Sequence, residues 1–536
     1  MIKLILKGSI RRRLIVEVLS FTLVLAVSAA VAFGHAKLVR SQPAANARLK
    51  QAPKTVELWF SEELESSFST IIVHDQSGKH VDKNDVSITE GGKKLQIDLE
   101  DLASGTYTVE WKALSTDQHT MKGKFTFAVA LAEVTANSSV ATPSPGAQKS
   151  EQEKQPQPER AAAPVSESQS GTGWTMSLVR WLEYLAMMTL FGGFAFRLLV
   201  LAPSLRKADE LDKKQTASAL ASSHRRFVEL SWLSIALLVL ATLAALVLQT
   251  SAVLDITVGQ SLSPPHLYQV IRQTSYGGPW LLQLATLAML AVVVLLISRH
   301  TGQVQGAEHD EDASSALLWT GLGITALMFL APSLTGHAAA AAKEWPLSVF
   351  SDWLHLVAAG FWVGGLFHLV LAMTRATSGL GGRQRLSVLH SVIPMFTRLA
   401  IVSTLLIAIT GVYNSWTHVD RFSALWTTAY GKTLSVKVLL FIPMLVLGGL
   451  NTFVIHRRAK HFVANDDRTE SPDHLKLDRA FRRSVAIEAA LGVAVLLAAA
   501  VLVFLQPARE HPAMSEARTP DPMTLQVGKK EIPPKI

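Results

Sequence analysis

The chain has 536 residues and not one cysteine. Disulfides are excluded, and any bound metal must be held by His, Met, Asp, Glu or backbone rather than by thiolate. Charge is also scarce: 17% of residues are charged against 49% hydrophobic, which excludes a purely soluble protein of this length. No Walker A motif or other nucleotide-binding sequence is present, so neither a nucleotide partner nor an ATP-driven pump is expected in this chain. The net charge of +9 could point to nucleic acid. Its cations concentrate beside apolar stretches, however, so membrane topology accounts for them and no nucleic-acid partner is expected.

What is there begins with an export signal. Lys3, Lys7 and Arg11-Arg12-Arg13 precede a mostly apolar run from Leu14 to Val31, and Ala32-Phe33-Gly34 supplies small residues for cleavage. Residues 1–34 therefore read as a signal peptide, and the mature chain is expected to begin at His35. An N-terminal histidine offers its α-amine and ring Nδ1 to one ion, a chelate that suits square-planar Cu(II) or Ni(II). The apolar run is long enough to span a bilayer, so the alternative is an uncleaved anchor, which would leave His35 without a free amine.

Residues 35–132 alternate in the manner of strands at Val56–Phe60, Thr70–Val73, Leu95–Leu99, Tyr107–Trp111 and Lys124–Val129, with turn signals such as Gln76-Ser77-Gly78 and Gly91-Gly92 between them. This predicts a small all-β domain, an Ig- or cupredoxin-like Greek-key sandwich. Residues 133–172 are rich in Pro, Ser, Gln, Ala and Glu without apolar period and read as a disordered linker. Residues 173–506 then carry eight apolar stretches, near 174–202, 228–253, 279–298, 316–335, 347–373, 396–415, 433–455 and 484–505. At ~20 residues each, they predict an all-α polytopic bundle of about eight helices in a lipid bilayer.

Three of the four loops on one side are basic, with Arg206-Lys207, Lys213-Lys214, Arg225-Arg226, Arg383, Arg385, Arg457-Arg458 and Arg482-Arg483, while the other side holds chiefly Arg272, Lys343 and Arg421. The positive-inside rule puts the β-domain and the tail, 507–536, on the extracytoplasmic side of a bacterial cytoplasmic membrane. The acidic loop at 299–315 is the exception, and nothing in the sequence explains it.

The β-domain carries the sharpest motifs. His35-Ala36-Lys37-Leu38, Ser41-Gln42-Pro43-Ala44-Ala45-Asn46, Leu58-Trp59-Phe60-Ser61-Glu62 and Ser115-Thr116-Asp117-Gln118-His119 closely resemble the periplasmic copper-binding CopC family. The resemblance implies Cu(II) held by the N-terminal amine and imidazole of His35 with Asp117 and His119. Local chemistry agrees: Asp117 and His119 are two apart in a turn, so in extended chain their side chains point the same way, and the nitrogen–oxygen set suits Cu(II). Glu62 could hydrogen-bond to a ligand, or be a solvated edge carboxylate. Met121 is the lone methionine here, so the methionine-rich Cu(I) site of some family members is not expected. His74 and His80 bracket a hairpin and read as exposed.

In the membrane part, ionisable residues are informative because burying them is costly. Thr335-Gly336-His337-Ala338 closes the fourth span, and Asp352-Trp353-Leu354-His355 opens the fifth, followed by Trp362-Val363-Gly364-Gly365-Leu366. Asp352 and His355 share a helix face, and His337 lies at similar depth, so the three could converge as a copper path. These motifs, with Tyr430-Gly431-Lys432 and Asn451, resemble the CopD family over mainly the last five spans, and the module order resembles CopC–CopD fusions such as the YcnJ-like copper importers of bacilli. His368 reads as interfacial, Met328 as lipid or core packing, and Lys437 with Glu488 as an intramembrane pair; Glu183 has no assigned role.

The resulting expectation is capture of extracytoplasmic Cu(II), transfer to the membrane domain and import, with Cu(I) as the second form the membrane domain could carry. Copper buffering, sensing or donation to oxidase assembly without transport is the alternative. An enzyme is disfavoured, because Asp117 and His119 would fill the equatorial positions that a copper oxygenase leaves open.

Overall fold

In the computed structural model, residues 38–116, 120–130, 172–208, 211–300, 309–336, 345–464, 472–505 and 507–508 are described. The expected signal peptide, the linker up to residue 171 and the tail beyond 508 lie outside them, as do His35, Asp117, His119 and His337.

The β-domain is a sandwich of two four-stranded sheets. Its strands are β1 (Leu38–Gln42), β2 (Arg48–Leu49), β3 (Thr55–Phe60), β4 (Thr70–His74), β5 (Ser87–Thr89), β6 (Lys94–Asp98), β7 (Gly105–Leu114) and β8 (Thr120–Val129). One sheet runs β1-β3-β6-β5 and the other β2-β8-β7-β4. Alternation is the cause of the layering: Val56, Leu58 and Phe60 of β3 and Tyr107, Val109 and Trp111 of β7 all point into one core with Leu95, Ile97 and Phe127. Strands β1, β2 and β5 were not expected, since they lie at sheet edges and carry too little alternation to read. The hairpin of β7 and β8 pairs from Gly105 with Val129 up to Leu114 with Thr120.

Among the described residues, eight helices are long and apolar enough to cross a membrane. They are α1 (Gly173–Arg206), α2 (Lys213–Leu254), α3 (Gly277–Arg299), α4 (Ser315–Ser333), α5 (Pro346–Thr374), α6 (Gly382–His418), α7 (Ala429–His461) and α8 (Lys476–Leu502). Helices α2 and α6 begin well before their apolar stretches. Hydropathy misses the polar first turns of α2, but Asp212 and Gln215 close a capping box that starts the helix there. Helices α1 and α5 are the most enclosed spans and α7 the least. The outer rows of α6 and α7, such as Ile401, Leu405, Ile409, Leu439 and Val446, are exposed and suit lipid.

The sandwich rests on the bundle. Phe68 and Leu114 pack with Leu246 and Val253 near the end of α2, with Val270 of the short helix Pro264–Gln273, and with Tyr276. Around this apolar centre, Lys122 pairs with Asp255, the Lys112 amine donates to the Val253 carbonyl, and the Ser275 N–H donates to Glu65 Oε1 at 2.8 Å. Lys122 holds the Asp255 carboxyl below its ordinary range. Burial at the contact holds the Lys112 amine below its own.

Candidate functional site

The docked end of the sandwich is where the copper-ligand residues were expected. Strand β1 starts three residues after His35, and its first residue, Leu38, pairs with Phe60 at the end of β3. The chain then passes through Ser61 to Glu62, whose carboxylate accepts a short hydrogen bond from the Ser115 hydroxyl. Leu64 bridges Ser115, and the Thr116 N–H donates to the Glu63 carbonyl at 3.0 Å. The backbone entering the Asp117–His119 turn is thus pinned beside the end of β3. Glu62 is only 5% exposed, so it is not the solvated edge carboxylate that one reading allowed. Its bond to Ser115 stiffens the approach to that turn.

His74 and His80 form an edge-to-face ring pair with centroids 4.6 Å apart, and His74 Nε2 lies 4.0 Å from Glu110. His80 is exposed as expected, whereas His74 is largely covered by this packing.

In the bundle, the structure gives Asp352 and His355 separate partners. Ser333 of α4 donates to Asp352 Oδ2 at 2.8 Å, and His355 Nδ1 lies 2.9 Å from the Thr410 hydroxyl of α6. Thr410 itself donates to the Leu406 carbonyl at 2.6 Å. With the hydroxyl proton directed to that carbonyl, His355 Nδ1–H donates to Thr410 and Nε2 keeps its lone pair. In that tautomer Nε2 is the nitrogen able to bind a metal.

Lys437 of α7 acts electrostatically on both His355 and Asp352. The expected Lys437–Glu488 pair is not formed. Glu488 instead accepts from Trp362 Nε1 and from Asn451 Nδ2, each at 3.3 Å, and its neutral donors replace the cation. His368 is also corrected: it is 2% exposed inside the bundle, donating from Nε2 to the Thr189 carbonyl at 2.8 Å, rather than interfacial. Met328 is fully buried in the bundle core. Among the described residues, no group of three or more His, Asp or Glu side chains is placed to hold a metal ion.

A polar chamber escaped the sequence reading. Arg180 and Glu183 of α1, Thr242 of α2, Tyr276, Gln283 of α3 and Thr335 line it. Arg180 Nη1 lies 3.1 Å from Glu183 Oε2 but outside hydrogen-bonding geometry. Gln283 Nε2 donates to Thr242 Oγ1 at 2.7 Å and more weakly to Glu183 Oε1 at 3.4 Å. The signal available was an Arg-x-x-Glu spacing within an apolar span, which puts opposite charges on one helix face. Gln283, a lone amide in another span, gave no such hint. Thr335 of the chamber wall lies two residues from Ser333, which bonds Asp352, so the chamber adjoins the Asp352 region.

Three family models cover most of the chain. The CopC domain matches residues 38–130, a copper resistance protein D-like N-terminal domain matches 169–345, and copper resistance protein D matches 390–502. The chain belongs to the CopC–CopD family of copper-resistance proteins. Copper transport protein CutJ of Bacillus subtilis (strain 168) is 28% identical over 484 residues, covering 90% of this chain and 76% of CutJ. Copper resistance protein C of Pseudomonas syringae pv. tomato is 35% identical over 107 residues, 19% of this chain and 84% of that protein. Copper resistance protein D of the same organism is 29% identical over 237 residues, 44% of this chain and 68% of its own length.

In this CopC–CopD chain the CopD likeness reaches further than the last five spans, since the 169–345 match takes in α1 to α4, with Arg180 and Glu183. Asp352 and His355 fall between the two CopD matches.

Proposed function

We propose that this CopC–CopD protein captures Cu(II) on the extracytoplasmic side of a bacterial cytoplasmic membrane and passes it inward through its eight-helix module. Cu(II) is bound by the amine and imidazole of His35, freed by signal cleavage, with Asp117 and His119 completing a nitrogen–oxygen plane. Glu62 and Ser115 brace that site. His337, Asp352 and His355 form the membrane copper path, with His355 Nε2 as its available lone pair. The chain binds and transfers copper and is not an enzyme. The observation that carries this reading is the seating of the sandwich: Thr116, and Leu114 with its strand partner Thr120, which flank the ligand turn in the chain, belong to the end that rests on the bundle. The 28% identity to a copper transport protein across 90% of the chain supports it independently.

The test is Cu(II) titration of the exported protein, together with its N-terminal sequence. One extra residue ahead of His35 is expected to weaken binding on the order of 100-fold, the upper scale on which even ligand-orienting partners act. Unchanged affinity, or a mature chain that does not start at His35, would remove the proposed site. Reconstituted vesicles that accumulate no copper would instead support buffering or sensing without transport.

A further inference from the structure

The docked end of the sandwich sits next to the polar chamber. Ser275 receives the sandwich from both its groups: its N–H donates to Glu65 Oε1 at 2.8 Å and its hydroxyl donates to the Thr116 carbonyl at 3.3 Å. The next residue, Tyr276, is buried against Phe68 and Leu114 on one side and lines the chamber on the other. Thr116, the residue that precedes Asp117 in the chain, and the chamber are thus separated by little more than the Ser275–Tyr276 step. On the far side, Thr335 of the chamber wall lies two residues beyond Ser333, the hydroxyl bonded to Asp352.

We propose that this chamber is the port by which the ion leaves the sandwich and enters the bundle, with Glu183 as its receiving carboxylate. The Lys122–Asp255 and Lys112–Val253 contacts orient the ends of β7 and β8 over it, on the apolar seat made by Phe68 and Leu114. The proposal rests on the reading that Asp117 and His119 carry copper.

A buried arginine–glutamate pair is a poor way to stabilise a span, since the desolvation of both charges can exceed their attraction. This pair is loosely built as well. Arg180 approaches Glu183 without a hydrogen bond, and among the described residues the one side-chain hydrogen bond to Glu183 is the long one from Gln283. A carboxylate so held can exchange its arginine counter-charge for an arriving cation. The lining offers carboxylate, amide and hydroxyl oxygens and contains no sulfur and no imidazole among the described residues. Such a donor set favours Cu(II) over Cu(I), so the ion crosses the port still oxidised.

The absence of native cysteine makes the seating directly testable. In the full chain, Lys122→Cys with Asp255→Cys is expected to cross-link with a short bismaleimide at least about tenfold more than Lys54→Cys with Asp255→Cys, as held neighbours exceed merely tethered sites. Equal yields would overturn this seating. In vesicles loaded from outside with Cu(II), Glu183→Gln is expected to slow uptake about tenfold or more, with Glu183→Asp closer to wild type and Cu(II) affinity at the sandwich unchanged. Asp255→Lys should also slow uptake, and adding Lys122→Asp should restore it; these surface changes guard against a folding artefact in the chamber. Wild-type uptake with an unimpaired Glu183→Gln overturns the port alone. Wild-type vesicles that import nothing overturn the import reading and the port together.

Discussion

Asp255 occupies the left-handed end of α2, with φ 60°, a position where glycine or asparagine is the usual residue. It also sets a negative charge at a helix C-terminus, against the macrodipole. Both local costs are offset by what the carboxylate meets, Lys122 and Lys112 of the sandwich. Asp255→Gly is therefore expected to stabilise the membrane domain by up to about 1 kcal/mol while loosening the sandwich. Thermal unfolding and the yield of a Glu65→Cys/Ser275→Cys cross-link would read the two effects separately. The sign of the pH response follows from the same contact. Lys122 lowers the Asp255 pKa when docked, so the contribution is complete above the ordinary carboxylate pKa and is lost as pH falls through the depressed one. Cross-linking should fall on acidification, and Asp255→Asn should flatten that part of the profile. None of this was legible in the sequence, where Leu254-Asp255-Ile256 reads as the end of a span.

At the scale of elements, legibility tracked periodicity. Strands β3, β4, β6, β7 and β8 announce themselves because one face of each is buried and the other is not, whereas β1, β2 and β5 are held by their neighbours rather than by pattern. The eight spans were legible from length and apolarity alone. Their mutual packing was not. Glycines of α1 and α5 meet so closely that a Cβ on Gly192 would stand 2.2 Å from the Gly364 carbonyl carbon, and one on Gly364 would stand 2.1 Å from the Met188 oxygen. The contact falls at a π-helical turn of α5, Gly360–Gly364. The motif Trp362-Val363-Gly364-Gly365 stood out in the sequence, but its partner is far away in the chain. The i,i+3 spacing of Asp352 and His355 likewise suggested a shared site, while the neighbouring helices give each a different hydroxyl. Gly364→Ala is expected to destabilise the bundle by about 1–3 kcal/mol, as overpacking does. Gly323→Ala, with nothing within 4 Å of its added Cβ, should be nearly silent in the same thermal unfolding measurement.

For the whole molecule, the question is what keeps the sandwich and the bundle in one arrangement. A flexible linker of n residues with a reach of ~5–6 Å × √n would leave the sandwich many positions over the membrane. Charge alone is a weak fix, because the Lys122–Asp255 pair is well exposed, with side chains 44% and 62% accessible, and exposed pairs are screened by salt. The apolar centre is different: Phe68 is 6% exposed and Leu114 is fully buried against α2 and Tyr276. Burying a phenylalanine side chain is worth roughly 1.5–3 kcal/mol, more than such a pair provides. The apolar contact therefore supplies the persistence of docking and the ionic contacts supply its orientation. This predicts two responses in the Lys122→Cys/Asp255→Cys cross-linking assay, where the ion pair is already removed. Raising salt from low to about 0.5 M should change the yield little, and Phe68→Ala should reduce it severalfold at every salt concentration. In a protein that keeps the pair, read through Glu65→Cys/Ser275→Cys, salt alone should lower the yield measurably. A Phe68→Ala protein that cross-links like its parent would mean that polar contacts hold the sandwich in place, and the division of labour argued for Phe68 and Asp255 would be reversed.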